Sequence, residues 1–449
     1  MSALLPALPA PVAPRPPEVQ RFRLDNGLGV HLVSRRTLPI VDIALVIRAG
    51  AELDGAARAG RARFTGALLV EGTERRDGRA FAEAVDRLGA VLDVQTAWDH
   101  TTIALHVLAP RLAAALALVH EALTRPAFAA SEFERKRRER LAALLQDRSE
   151  PRALATFHFA RGVYGRDHPY GQPIGGTTPS VRALPADETR RCHALRYRPD
   201  NAFLVVVGDI DEPGLRTLLD DSLAGWQAPP SLPPPGQAPA PSAPAPLVLV
   251  DRPGAAQTEL RIGQAAAPRS TPDYFPLLVL NAVLGGNFTS RINMRLREER
   301  GYTYGAGSSF AFRRGGGPFV VGTSVHGAAT GAAVADVWAE LERVRAEPVG
   351  EPELERARRS LTLGLAREFE TTGAVADRVA EQVLYGLGES WFEQYVARIE
   401  AVDARAVQSA AGRWLDPAGR VSVAVGDRAV IEPGLAALGP ISIASEPEL

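Results

Sequence analysis

The sequence predicts an α+β protein of two homologous tandem domains, each a mainly antiparallel sheet with helices packed on one face. Three observations carry that prediction. β-Branched runs bounded by turn residues come in groups ahead of runs with helical spacing, which is the order of an α+β layer and not of a strictly alternating parallel fold. A Pro/Ala-rich stretch divides the 449 residues into nearly equal halves. The halves also repeat each other. "FERKRRERLAALL" from Phe133 answers "LERARRSLTLGLA" from Leu354, and the Gly208-Asp209 strand end answers Gly426-Asp427, at offsets of 221 and 218 residues. Two matches in the same order at almost one spacing indicate duplication.

Residues 1–19, "MSALLPALPAPVAPRPPEV", are cut by prolines and read as a disordered lead-in. The first domain is expected over 20–226. In it "GLGVHLVSR", "VDIALVIRAG", "TTIALHVLA" and "NAFLVVVGD" read as strands. "RAFAEAVDRLGA", "RLAAALALVHEAL" and "SEFERKRRERLAALLQ" read as helices, the last with Ser131 as its N-cap. Residues 227–246, "QAPPSLPPPGQAPAPSAPAP", form a stiff polyproline-like linker. The second domain is expected over 247–449.

Composition excludes several function classes. The net charge of −1 gives no bulk attraction to nucleic acid or to an anionic membrane. Within "ERKRRER", residues 134–140, the glutamates interleave: Glu134 is expected to face Arg138 and Arg135 to face Glu139, a solvated ion-pair surface. No run of 18 apolar residues is present to span a membrane. The single cysteine, Cys192, excludes an internal disulfide framework and a multi-thiolate metal site. No secretory signal is visible, which favours the cytoplasm; a trimmed leader would place the chain in the periplasm.

Familiar catalytic signatures are missing. "GTSVHG", 322–327, departs from the nucleophile elbow because His326 replaces its second glycine. Cys192 and His193 are neighbours in sequence, which does not make them a nucleophile and base in space. "GAGSSF" and "GGGP" fit no phosphate-binding fingerprint and read as hairpin tips. The eight histidines include no pair at i,i+3 or i,i+4. His100 and His106 would lie ~20 Å apart along a strand, too far to share a metal.

Five fragments in fixed order carry a resemblance. They are "FRLDNGLGVHLV", the G-x-A-x₆-L-x-x-G-T frame of 60–73, "HPYG" at 168–171, "YRPDNAFLVVVGDID", and "LREERGYTYGAGSS". Over residues 20 to 430 the chain resembles the pitrilysin/insulinase group of zinc metallopeptidases, which includes the mitochondrial processing peptidases. The resemblance implies a half-clam of two such domains. It also implies an H-x-x-E-H helix in the first half, where two imidazoles at i and i+4 hold zinc and the glutamate activates its water. Here those places hold Arg63, Gly66 and Ala67, and the third ligand's neighbourhood holds Ala142 and Ala143. No metal ligand is left at these degenerate positions. Arg63 has two readings: a core-edge arginine lying along apolar surface, or a chamber-facing arginine that contacts peptide carbonyls or acidic side chains.

The second half keeps "SRINMRLREERGYTYG", which resembles the family's Arg/Tyr substrate element. The resemblance places the arginine at Arg297 and the phenol at Tyr304. Tyr302 is a neighbour, and Gly285 and Gly286 in "LGGNFTSR" form a glycine-rich entry where substrate backbone could approach or the chain could simply turn. Tyr302 and Tyr304 are expected to alternate on a strand. The resemblance thus implies a non-catalytic subunit of a heterodimeric zinc endopeptidase. An H-x-x-E-H homologue would bring the zinc; this chain would bring peptide binding and oxyanion stabilisation. The alternative is a scaffold or peptide-binding protein of the same fold with no proteolytic role.

Overall fold

The computed structural model describes residues 16–223, 225–228 and 247–444. The expected lead-in lies outside the described residues up to residue 15, and the expected linker does so from residue 229. Each side of that linker builds one six-stranded sheet. The first contains β1 (Gln20–Arg23), β2 (Gly29–Ser34), β3 (Ile40–Ile47), β4 (Val91–Thr96), β5 (Thr101–Leu108) and β6 (Ala202–Gly208), ordered β1-β2-β6-β3-β5-β4. The second contains β7 (Leu247–Asp251), β8 (Gln257–Ala265), β9 (Ala306–Phe310), β10 (Pro318–His326), β11 (Val421–Gly426) and β12 (Ser442–Ile443), ordered β12-β7-β11-β8-β10-β9. Among the named strand pairs, only β2/β6, β7/β11 and β7/β12 run parallel.

The central strands β6 and β11 are apolar and buried on both faces, whereas β5 alternates buried and more open positions as a half-covered strand does. On one face of the first sheet Leu45, Ile103 and Leu105 meet Phe64, Leu68 and Phe133 from helices. On the second, Leu260, Ile262 and Val321 meet Leu277, Val337 and Leu341.

The expectation of helices on one face holds only within each half. The other face of each sheet is covered by a helix from the opposite half. Helix Pro151–Tyr164 packs on β7, β8 and β11, and Leu154 and Ala155 share an apolar cluster with Val421, Val423 and Val425. Helix Thr372–Leu384, which begins 221 residues later, packs on β3 and β6, where Val375, Ala376 and Val379 join Val46, Val205 and Val207. Gly162 allows this contact to be close: a Cβ there would stand 2.7 Å from Val421 Cγ1. Arg48, just past the end of β3, donates to the Leu384 carbonyl at 2.9 Å and the Val383 carbonyl at 3.3 Å, closing the C-terminus of the exchanged helix. The exchange was not legible in periodicity, which reports that a helix has an apolar face and not which sheet receives it.

Local expectations are also corrected. Helix Ala130–Asp147 starts before Ser131, with Ala129 at the N-cap and no side-chain cap. Arg135 does pair with Glu139, at 2.5 Å, but Glu134 pairs with Arg137 at 2.7 Å and not with Arg138. "GGGP" is the β9–β10 hairpin tip, whereas "GAGSSF" is mostly strand β9. Tyr302 and Tyr304 precede that strand.

Candidate functional site

The Arg61–Leu68 helix is anchored at both faces. Buried Asp54 accepts from the Ala62 N–H with both oxygens, at 3.0 and 3.1 Å, and from Arg61 Nε at 3.3 Å, so a carboxylate satisfies the first-turn amide. Phe64 and Leu68 are buried, and the Phe64 ring lies 5.5 Å from that of Phe133. That orientation turns Arg63 and Ala67 outward together, toward Lys136, Glu139, Arg140 and Ala143 of the Ala130–Asp147 helix. These side chains enclose a pocket of about 260 Å³. Arg63, Ala67 and Ala143, expected to replace metal ligands, thus converge. Gly66 does not join them. A Cβ there would stand 2.9 Å from Thr96 Oγ1 and 3.3 Å from Val94 Cγ1, so its bareness lets the helix lie on β4.

The pocket's donor set does not fit a zinc ion. Guanidinium and ammonium groups have no lone pair to give, and Ala67, Ala143 and Phe64 have no ligating side chain. Glu139, the one carboxylate lining the pocket, is engaged by Arg135 at 2.5 Å and Lys136 at 3.5 Å. Among the described residues no three His, Cys, Asp or Glu side chains are grouped to hold a metal ion. Nor is any described helix long and apolar enough to cross a membrane. Arg140 is held by Asp147 at 3.4 Å and by the Gly175 carbonyl at 3.1 Å; burial lowers its pKa, Asp147 opposes this and Arg63 adds to it. Lys136 pairs with Glu71 at 2.5 Å. Arg63 is exposed and forms no ion pair among the described residues. Lys136 and Arg140 were not singled out from sequence as pocket residues. Their signal was the shared helical face of 136, 139, 140 and 143, hidden inside a run read only as solvated charge.

The second-half element is shaped by two π-helical segments. Helix Tyr274–Asn281 runs into the first, Ala282–Gly286, and the short helix Arg291–Asn293 into the second, Met294–Glu299. Gly285 is buried against β9, where a Cβ would lie 2.5 Å from Ser308 N; its glycine serves helix–strand packing. Gly286 is exposed. Arg297 sits in the second π-helical segment with its guanidinium 4.6 Å over the exposed Phe288 ring and 3.3 Å from Glu298. Gly301, at φ 63°, then turns the chain, and the Tyr302 N–H donates to the Leu296 carbonyl at 2.9 Å.

The two tyrosines part at this turn. Tyr302 packs against the second core, whereas Tyr304 is 87% exposed. Its backbone is nonetheless pinned. Thr303 Oγ1 donates to the Gly305 carbonyl at 2.9 Å, and Thr323 Oγ1 reaches both Thr303 Oγ1 and that carbonyl, at 3.1 and 3.0 Å. Buried Asn293, which sequence reasoning missed, ties the two loops together: its amide donates to the Phe288 carbonyl at 2.6 Å and accepts from the Ala306 N–H at 3.0 Å. A phenol with no hydrogen-bond partner among the described residues, on a pinned turn, can donate to a ligand with little reorganisation.

Two family models match this architecture in sequence. The model described as "Insulinase (Peptidase family M16)" matches residues 30–178, and "Peptidase M16 inactive domain" matches 183–361. The chain belongs to the M16 peptidase family. An uncharacterized zinc protease of Mycobacterium leprae is 28% identical over 417 residues, covering 90% of this M16 chain and 91% of that one. One of Mycobacterium tuberculosis is 29% identical over 418 residues, covering 91% and 93%. A crystal structure of a peptidase M16 inactive domain from Pseudomonas fluorescens superposes with a TM-score of 0.84 at 25% identity, over 91% of this chain and 98% of that one. A protease from Helicobacter pylori gives 0.84 at 18% identity, over 91% and 99%, a likeness of fold.

Proposed function

We propose that this M16 chain is the non-catalytic subunit of a heterodimeric zinc endopeptidase. It binds peptide and stabilises the oxyanion for a partner chain that carries H-x-x-E-H and the zinc. The observation that carries the reading is the exposed Tyr304 phenol, on a turn pinned by Thr303 and Thr323, seven residues beyond Arg297. A phenol so placed donates to a carbonyl oxygen as negative charge develops there, and the Arg297 guanidinium binds the peptide backbone. The first-half pocket supports a division of labour, because its one carboxylate, Glu139, is held by Arg135 and Lys136 and its other side chains offer no metal ligand. A scaffold role without proteolysis is the alternative; an aromatic left 87% exposed on a pinned turn favours the catalytic complex over it.

The test is reconstitution with a zinc-bearing M16 homologue from the same source and an assay of peptide cleavage. Tyr304→Phe is expected to lower kcat by ~10²–10³, as loss of an oxyanion donor does, with complex formation intact. A rate unaffected by that change rules out the assigned role.

A further inference from the structure

The pocket between the Arg61–Leu68 and Ala130–Asp147 helices has an unbalanced charge inventory. Three cations line it, Arg63, Lys136 and Arg140, against the single carboxylate of Glu139. Two of those cations are satisfied internally: Lys136 by Glu71 at 2.5 Å and Glu139 at 3.5 Å, and Arg140 by Asp147 at 3.4 Å and two backbone carbonyls. Arg63 alone is left over, and it faces the like charge of Arg140. Ala67 and Ala143 leave the space beside it clear, and the floor is Phe64. The geometry points to a site for one carboxylate presented by a peptide, received by the Arg63 guanidinium.

Three features fix that ligand class. One unpaired guanidinium calls for one negative charge, and a planar carboxylate matches its fork. Glu139 and the apolar wall disfavour a multiply charged anion such as phosphate. The Arg61–Leu68 helix also lies against β4, the terminal strand of its sheet, whose outer edge pairs with no strand among the described residues. An extended chain that adds there by backbone hydrogen bonds lies along the strand against which the Arg63 helix packs. The carboxylate is either an acidic side chain or a peptide C-terminus. The inference deepens the peptide-binding half of the proposed function but needs neither partner nor turnover.

The test uses the full chain alone and three fluorescein-labelled decapeptides: a C-amidated peptide with one central Glu, its Gln counterpart, and the Gln peptide with a free C-terminus. Binding is read by fluorescence anisotropy at low and moderate salt. A carboxylate-bearing peptide is expected to bind about tenfold or more tighter than the amidated Gln peptide, the scale of a charge-assisted hydrogen bond. Arg63→Ala should erase the difference, and Arg63→Lys should restore part of it. Preference for the Glu peptide identifies a side-chain carboxylate, and preference for the free terminus identifies the C-terminal one. Equal affinity for all three, no binding, a preference that survives Arg63→Ala, or displacement by millimolar inorganic phosphate each overturns the proposal. Since no cleavage is measured, failure here leaves the Tyr304 test standing, and the reverse holds too.

Discussion

Tyr164 and Tyr385, 221 residues apart, make the same contact in opposite directions. The Tyr164 hydroxyl, at the end of the first exchanged helix, donates to the Gly316 carbonyl in the β9–β10 hairpin at 2.9 Å. The Tyr385 hydroxyl, just past the second, donates to the Asp99 carboxylate in the β4–β5 hairpin at 2.8 Å. The pseudo-symmetry of the duplication is thus preserved in side-chain chemistry where the two halves join, and it breaks in the acceptor. Gly316 offers a neutral carbonyl; Asp99 is a buried carboxylate that also accepts from the Tyr170 hydroxyl at 3.2 Å and the Arg314 N–H at 2.7 Å.

That difference predicts unequal costs for the same mutation. Tyr164→Phe should destabilise by about 1 kcal/mol, the net worth of a neutral hydrogen bond, and Tyr385→Phe by about 2 kcal/mol, because a buried carboxylate loses a donor. Asp99→Asn should cost more than either, since the amide cannot accept from all three donors. Urea unfolding with an unchanged m-value is the measurement; equal costs for the two tyrosine variants would show that the acceptor's charge does not matter.

The same junction predicts a pH dependence. Glu52 accepts from Arg314 at 2.6 Å, and burial raises its pKa to about 7, with Arg314 opposing and Asp99 adding to the shift. A carboxyl whose folded pKa lies above its unfolded value holds its proton more tightly in the native state. Its contribution is therefore complete below about pH 4.5 and is lost as pH rises through about 7. His31 and His158, both lowered to about 4, chiefly by burial, act in the opposite sense: they cost stability as pH falls below about 6.5. The difference between wild type and Glu52→Gln isolates the first effect. Relative to wild type, Glu52→Gln should gain about 2 kcal/mol between pH 5 and 8, measured by denaturant melts; a flat difference would mean that Glu52 is ionised throughout.

Gly285 offers a test of packing against substrate contact. A Cβ there meets Ser308 N at 2.5 Å and Ser308 Cβ at 2.8 Å, backbone and a short side chain that cannot swing away. Gly285→Ala should cost about 1–3 kcal/mol, as overpacking does, and lower the Tm of the isolated chain. Gly286 is exposed, yet a Cβ there would meet Asn281 Nδ2 at 2.7 Å, an amide end that can shift, and also the Asn281 carbonyl oxygen at 2.9 Å, which is backbone, so its alanine variant should cost stability too. If Gly285→Ala leaves the Tm unchanged, the segment yields more readily than the packing implies.

Much of the fold was legible because strand order and helix faces follow local periodicity, and because the duplication shows each half twice. Arg63, Ala67 and Ala143 could be placed in one pocket from spacing within two helices and the family frame. Gly66 could not, since whether residue 66 faces the pocket or β4 depends on how the helix is rolled by Phe64 and Leu68. Tyr302 and Tyr304 were misread as strand neighbours because period two is also what a turn produces when one ring packs and the next projects. Asn293 left no trace in pattern at all: a single buried amide bridging Phe288 and Ala306 is a tertiary fact.

The exchanged helices make the strongest prediction about the whole chain. Cut between residues 229 and 246, each half would carry away a helix whose apolar face belongs on the other half's sheet. The first half would expose Val46, Val205 and Val207 beneath the missing Thr372–Leu384 helix, as well as the face of its own Pro151–Tyr164 helix. Re-exposing a core valine or leucine costs roughly 1.5–3 kcal/mol, so losing several on both surfaces exceeds the roughly 5–15 kcal/mol that typically separates folded from unfolded. Each half expressed alone should therefore be aggregated or loosely packed by circular dichroism and gel filtration, and co-expression should recover a one-to-one complex. Intact chain should unfold in a single calorimetric transition. Two separate transitions, or half-chains that fold alone with sharp melts, would mean that the exchanged helices rest on already stable sheets instead of completing them.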